Sequence, residues 1–137
     1  MSNDDFELDA RLKADTQHVT SLPLCEVLLM NDARYPWLIL VPRRAGCVEI
    51  FDLPDDARNA LWQEIQHAAV ALREVAPCDK LNIGALGNIV RQLHVHIVAR
   101  NECDAAWPGP VWGNGRAEVY GDEALQALMQ RLQQKLL

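Results

Sequence analysis

The chain has 137 residues, 50% of them hydrophobic and 23% charged, the composition of one globular domain spanning 1–137 that buries roughly two-thirds of its unfolded surface. Its formal net charge of −6 is the wrong sign for a protein that coats nucleic acid or binds anionic membrane through a basic patch. The four cysteines, Cys25, Cys47, Cys78 and Cys103, are widely spaced and form no CxxC pair, so they read as reduced small hydrophobes rather than disulfide or zinc positions. The start, MSNDDFELDA, is acidic and lacks the apolar run of a signal peptide. No stretch approaches the roughly 20 apolar residues of a membrane span. A soluble, cytoplasmic protein is the expectation.

In chain order, residues 6–15 place Phe6, Leu8 and Leu12 among charges and predict a short strand followed by a helical turn. Leu22 to Met30 is dense in β-favouring residues and ends at the turn signal Asn31-Asp32. Trp37 to Val41 follows closely, so the two runs predict an antiparallel hairpin, closed by Pro42 and Gly46. Cys47 to Phe51 predicts a third short strand. A helix then starts near Asp52, which can cap it, with Pro54 in its first turn. Its Leu61, Ile65, Ala68, Leu72 and Val75 recur at helical spacing and form one apolar stripe.

Residues 79–84 and 92–100 predict two more strands, joined by the glycine-containing stretch Gly84 to Asn88. Trp107 to Gly115 reads as a loop. Leu125, Leu128, Met129, Leu132 and Leu136 mark a C-terminal helix. Strands run together rather than alternating with helices, so the predicted class is α+β with an antiparallel sheet of about five strands.

The chemistry concentrates in Gln92-Leu93-His94-Val95-His96-Ile97-Val98. On a strand, Leu93, Val95 and Ile97 share one face, and Gln92, His94 and His96 line up on the other. An imidazole that is largely neutral near pH 7 can attack phosphorus, and a neighbouring imidazole or amide can steady the phosphate oxygens. Gly84, Gly87 and Asn88, just upstream, permit close backbone approach to such a phosphate. Other readings of the same residues stay open. An HxH pair is also a metal half-site, for which His18, His67, Asp104 and the cysteines could supply further ligands, and both histidines could be structural.

The 92–98 segment resembles the histidine triad signature, His-φ-His-φ-His-φ-φ with φ apolar, with Gln92 where the first histidine would stand. The resemblance extends to the hairpin from Cys25 through Val41, with Asn31 at a strand end and Pro36-Trp37 at a strand entry. It also takes in the helix over about 54–75 and the Asn82 to Asn88 loop, so it covers about residues 20–112. It implies an α+β fold in which two subunits pair their sheets into one, acting on nucleotides as a hydrolase or transferase through a covalent nucleotidyl-histidine.

By matching position, the resemblance makes His94 the nucleophile at the α-phosphate and His96 a phosphate contact, with Gln92 steadying the phosphate. Asn31 then falls on the ribose, Gly87 and Asn88 approach the phosphate, and Asn82 joins them as a substrate-binding position. No metal or other cofactor is required. An amide at Gln92 cannot deliver a proton as an imidazolium can, which leaves a dimeric nucleotide-binding protein with weak or no turnover as the alternative.

Overall fold

The computed structural model describes residues 5–137. A short helix α1 (Ala10–Asp15) leads directly into β1 (Thr16–Ser21), followed by β2 (Cys25–Met30) and β3 (Trp37–Pro42). The long helix α2 (Asp55–Val75) comes next, then β4 (Lys80–Gly84), β5 (Val95–Arg100) and the C-terminal helix α3 (Asp122–Leu136). The strands form one antiparallel five-stranded sheet in the order β1-β2-β3-β5-β4.

Strand alternation divides the sheet into two unlike faces. Val27, Leu29, Leu38, Leu40, Val95, Ile97 and Ala99 point to one side and pack against α2 and α3. All five residues of the predicted α2 stripe are buried there, and Leu132 and Leu136 of α3 complete that core. Glu64 is the polar exception on α2. Its buried carboxylate accepts the main-chain N–H groups of Leu24 (2.9 Å) and Cys25 (2.8 Å) at the start of β2. The opposite face carries Leu28, Trp37, Ile39, Val41 and Val98, and the candidate site lies on it.

Four predicted elements are corrected. Cys47 to Phe51 is not a strand but a loop ending in a 3-10 turn, Ile50–Asp52. Asp52 turns back on that loop, accepting from Val48 N (3.1 Å) and Glu49 N (2.9 Å), so Pro54, not Asp52, stands at the N-cap of α2. The fifth strand is instead Thr16–Ser21, a run too polar for a hydrophobic pattern to mark because it forms a sheet edge. Residues 6–9 form no strand. The last strand starts at Val95 rather than at 92, and the loop before it holds Gln92 and His94.

Candidate active site

His94 ends the loop that feeds β5, and His96 is the second residue of that strand, paired with Ile39 of β3 and Gly84 of β4. Because Val95 and Ile97 fill the core under α2, both imidazoles lie on the opposite face. They are buried, and their ring centroids are 4.9 Å apart.

Their hydrogen bonds give the two rings opposite polarity. The main-chain oxygen of Gln92 can only accept, so His94 Nδ1 donates to it at 2.7 Å. In the neutral ring this leaves Nε2 with a bare lone pair. Trp37 Nε1 can only donate, so His96 Nδ1 accepts from it at 3.0 Å and the neutral His96 ring carries its proton on Nε2. Burial, and secondarily the nearby His94, push the His96 pKa down to about 3, so this ring stays uncharged. The pair therefore offers one nucleophilic nitrogen and, beside it, one N–H donor.

Both histidines line a cleft of about 590 Å³, well inside the usual range for small-molecule sites. The Gly87–Val90 loop forms one wall and Val111 with Trp112 another, while Arg11 and Leu12 of α1 form a third; Asn31, Asp32 and Arg34 close the far end. Gly84 pairs with His96, and its backbone lies beside the Trp112 ring, with room for a Cβ at ordinary contact distance, 3.7 Å. Trp112 meets His96 edge-on at 5.4 Å and Trp37 at 6.2 Å. Gly87, which lines the cleft, has φ +70, a conformation that glycine adopts at low cost.

The expected site residues separate into two groups. His94, His96, Asn31, Gly87 and Asn88 line one cleft, although the Asn31 side chain also accepts from Tyr120 N at 2.9 Å. Gln92 does not stand in a row with the imidazoles. Its Oε1 accepts from Asp9 N (2.9 Å) and its Nε2 donates to Glu7 O (2.8 Å), so the amide clasps the N-terminal segment. Asn82 is also turned away from the cleft, its Oδ1 accepting from Arg100 at 2.8 Å.

That arginine belongs to a network the motif reading missed. Arg100 is 1% exposed and continues the His96 face of β5. It binds both carboxylate oxygens of Asp104 (2.8 and 3.0 Å) and Gly109 O (2.8 Å), holding the loop that carries Val111 and Trp112. The Arg100 guanidinium in turn holds the Asp104 carboxyl below the usual carboxylate range. Arg34, whose guanidinium approaches the Tyr35 ring as that of Arg100 does, pairs with buried Asp32 through Nε (3.0 Å) and Nη2 (2.8 Å) and donates from Nη1 to Asn114 O (2.7 Å). The available signal was the face of β5, since Arg100 lies an even number of residues beyond His96. Among the described residues, no three His, Cys, Asp or Glu side chains gather to hold a metal ion, and no helix is long and apolar enough to cross a membrane.

Against known proteins, the HIT domain model matches residues 11–103. The chain belongs to the HIT family. Proteins carrying this domain are nucleotide-binding hydrolases or transferases. A histidine triad protein from Bradyrhizobium japonicum is 48% identical with a TM-score of 0.95, the match covering 96% of this chain and 98% of that one. One from Sinorhizobium meliloti is 47% identical with a TM-score of 0.95, covering 98% of this chain and all of its own. One from Marinobacter aquaeolei is 44% identical with a TM-score of 0.93, covering 96% of each chain. No protein of curated function matches this HIT protein in sequence.

Proposed function

We propose that this HIT protein cleaves nucleoside phosphate derivatives at the α-phosphate through a covalent nucleotidyl-His94. The observation that carries this reading is the polarity of the imidazole pair: His94 Nδ1 tied to the Gln92 carbonyl, His96 Nδ1 tied to Trp37. The His94 Nε2 lone pair attacks phosphorus, a P–N bond forms, and the bond to the leaving group breaks with its electron pair going to that group. The His96 Nε2–H donates to a phosphate oxygen as charge redistributes. Water then attacks the nucleotidyl-histidine, the P–N electron pair returns to Nε2, and nucleoside monophosphate leaves as a proton passes to solvent.

Gln92 occupies the first triad position, and its amide is spent on Glu7 and Asp9. No imidazolium stands there to protonate a departing amine. This favours leaving groups stable as anions, such as the far phosphates of a dinucleoside polyphosphate, over the amine of a phosphoramidate. The same residue favours a second reading, a nucleotide-binding protein with weak turnover. Two copies pairing along the open edge of β4, where Ile83 is 47% exposed, complete the proposed assembly in the cytoplasm.

The test is mass spectrometry after brief quenching with diadenosine tetraphosphate or adenosine phosphoramidate. An added mass of one nucleotide that disappears in His94→Ala supports the enzyme. Intact nucleotide binding with neither adduct nor product moves the assignment to the binding protein.

A further inference from the structure

The Gln92 clasp has a second consequence, at the far side of the cleft. Resting on the proposed chemistry at His94, the geometry points to Arg11 as the residue that selects for phosphate in the leaving group. Two cationic side chains line the cleft, Arg11 and Arg34. Arg34 is committed to Asp32 and Asn114. The Arg11 guanidinium makes no hydrogen bond or ion pair with any described residue, while its main-chain N–H donates to Asp9 Oδ1 at 2.8 Å. An arginine left open beside a phosphate-binding cleft offers a fork of donors matched to phosphate oxygens.

The position of Arg11 along the cleft follows from the mooring of α1 at both ends. Its entry is held by Gln92, whose Oε1 takes the N–H of Asp9 and whose main-chain oxygen orients the nucleophile. Its exit is held at the opposite side of the sheet, where Asp15 O accepts from Asn31 N at 3.1 Å. Between them Leu12 is buried in the cluster that includes Leu28 of β2 and Ile39 of β3. The segment therefore crosses the sheet, with Arg11 toward the end that holds His94 and Asp15 toward the end that holds Asn31.

The charge order along this bar suits one orientation of a nucleotide. Phosphates lie at the cationic, nucleophile end, and the nucleoside lies at the end where Asp15 and the Asp32–Arg34 pair also line the cleft. A leaving group carrying phosphates meets Arg11. A neutral amine leaving group gives it nothing to bind. Arg11 thus separates substrates by the charge beyond the scissile bond, and Gln92 is the positioning residue that keeps Arg11 in reach.

The experiment compares wild type, Arg11→Ala, Arg11→Lys, Gln92→Ala and the Arg11→Ala/Gln92→Ala double variant. For Arg11→Ala, kcat/KM for diadenosine tetraphosphate falls about tenfold and that for adenosine phosphoramidate changes less than about twofold. Arg11→Lys, which keeps the charge and loses the fork, falls between wild type and Arg11→Ala. Gln92→Ala lowers the same ratio, and the double variant falls no further than Arg11→Ala alone. Equal losses on both substrates, or no loss on either, overturn the assignment, and additive losses overturn the role of Gln92. Calorimetry in a His94→Ala background supplies a readout that needs no turnover. Arg11→Ala weakens ATP about tenfold while leaving AMP within about twofold; an unchanged ATP-to-AMP ratio overturns the inference even where the catalytic reading itself has failed.

Discussion

The two faces of the one sheet are built by different rules. The face under α2 and α3 is almost wholly apolar, and its order comes from shape and burial: Leu61, Leu72, Ile97 and Leu132 are fully buried among one another. The cleft face buries His94, His96, Asp32 and Arg100 among aromatic rings, and its order comes from directed hydrogen bonds. The first face tolerates any well-fitting hydrocarbon. The second tolerates little, because each buried polar atom that loses its partner keeps its desolvation cost. Stability and chemistry are thereby assigned to opposite sides of the same strands, and every second residue of β5 serves one or the other.

The sharpest way to break this comparison is to damage each face by a similar amount and read different properties. Leu61→Ala leaves a cavity under the sheet and costs about 2–5 kcal/mol. Asp104→Ala removes the counter-charge of the buried Arg100 guanidinium, leaving it Asn82 and Gly109 O, and costs about 3–5 kcal/mol. Denaturant melts should show comparable losses. Nucleotide affinity should separate the two variants, surviving at temperatures where Leu61→Ala is still folded and falling in Asp104→Ala, which frees the loop bearing Val111 and Trp112. Equal loss of affinity in both would mean that the faces are not independent.

A smaller effect comes from pH. The His96 pKa lies at about 3 in the fold against 6.5 for the ordinary imidazole, so below pH 6.5 the unfolded chain takes up a proton that the folded ring refuses. Its contribution to stability is complete above pH 6.5 and is lost progressively as pH falls toward 3, by up to about 1.4 kcal/mol per pH unit. Stability measured between about pH 7 and pH 5 should therefore drop more steeply in wild type than in His96→Asn. Parallel slopes would show that the ring is not held neutral.

The smallest effect tests whether every polar atom on the cleft face is needed. The Tyr35 hydroxyl is buried with no hydrogen-bond partner among the described residues, so Tyr35→Phe should hold or raise the melting temperature, within about 1 kcal/mol of stability. A loss larger than that would reveal a partner bound to the hydroxyl.

The parts legible in the sequence were those governed by periodicity. The stripe from Leu61 to Val75, the alternation of Leu93, Val95 and Ile97 against the two histidines, and the hairpin from Cys25 to Val41 all follow from one residue's hydrophobicity and its spacing to the next. So do the fold class and the pairing of His94 with His96 on one face. Thr16–Ser21 escaped because an edge strand need not be apolar, and Cys47 to Phe51 misled because a short apolar run packs equally well as a loop.

The remainder was decided by tertiary contacts between residues far apart in the chain. Gln92 reaches Glu7 and Asp9, Trp37 sets the tautomer of His96, and Asn82 turns to Arg100 rather than to the cleft. A side chain with both donors and acceptors carries no mark of which partner it will find. Only the packed structure, where most buried polar atoms find a partner at a particular distance and direction, chooses among them.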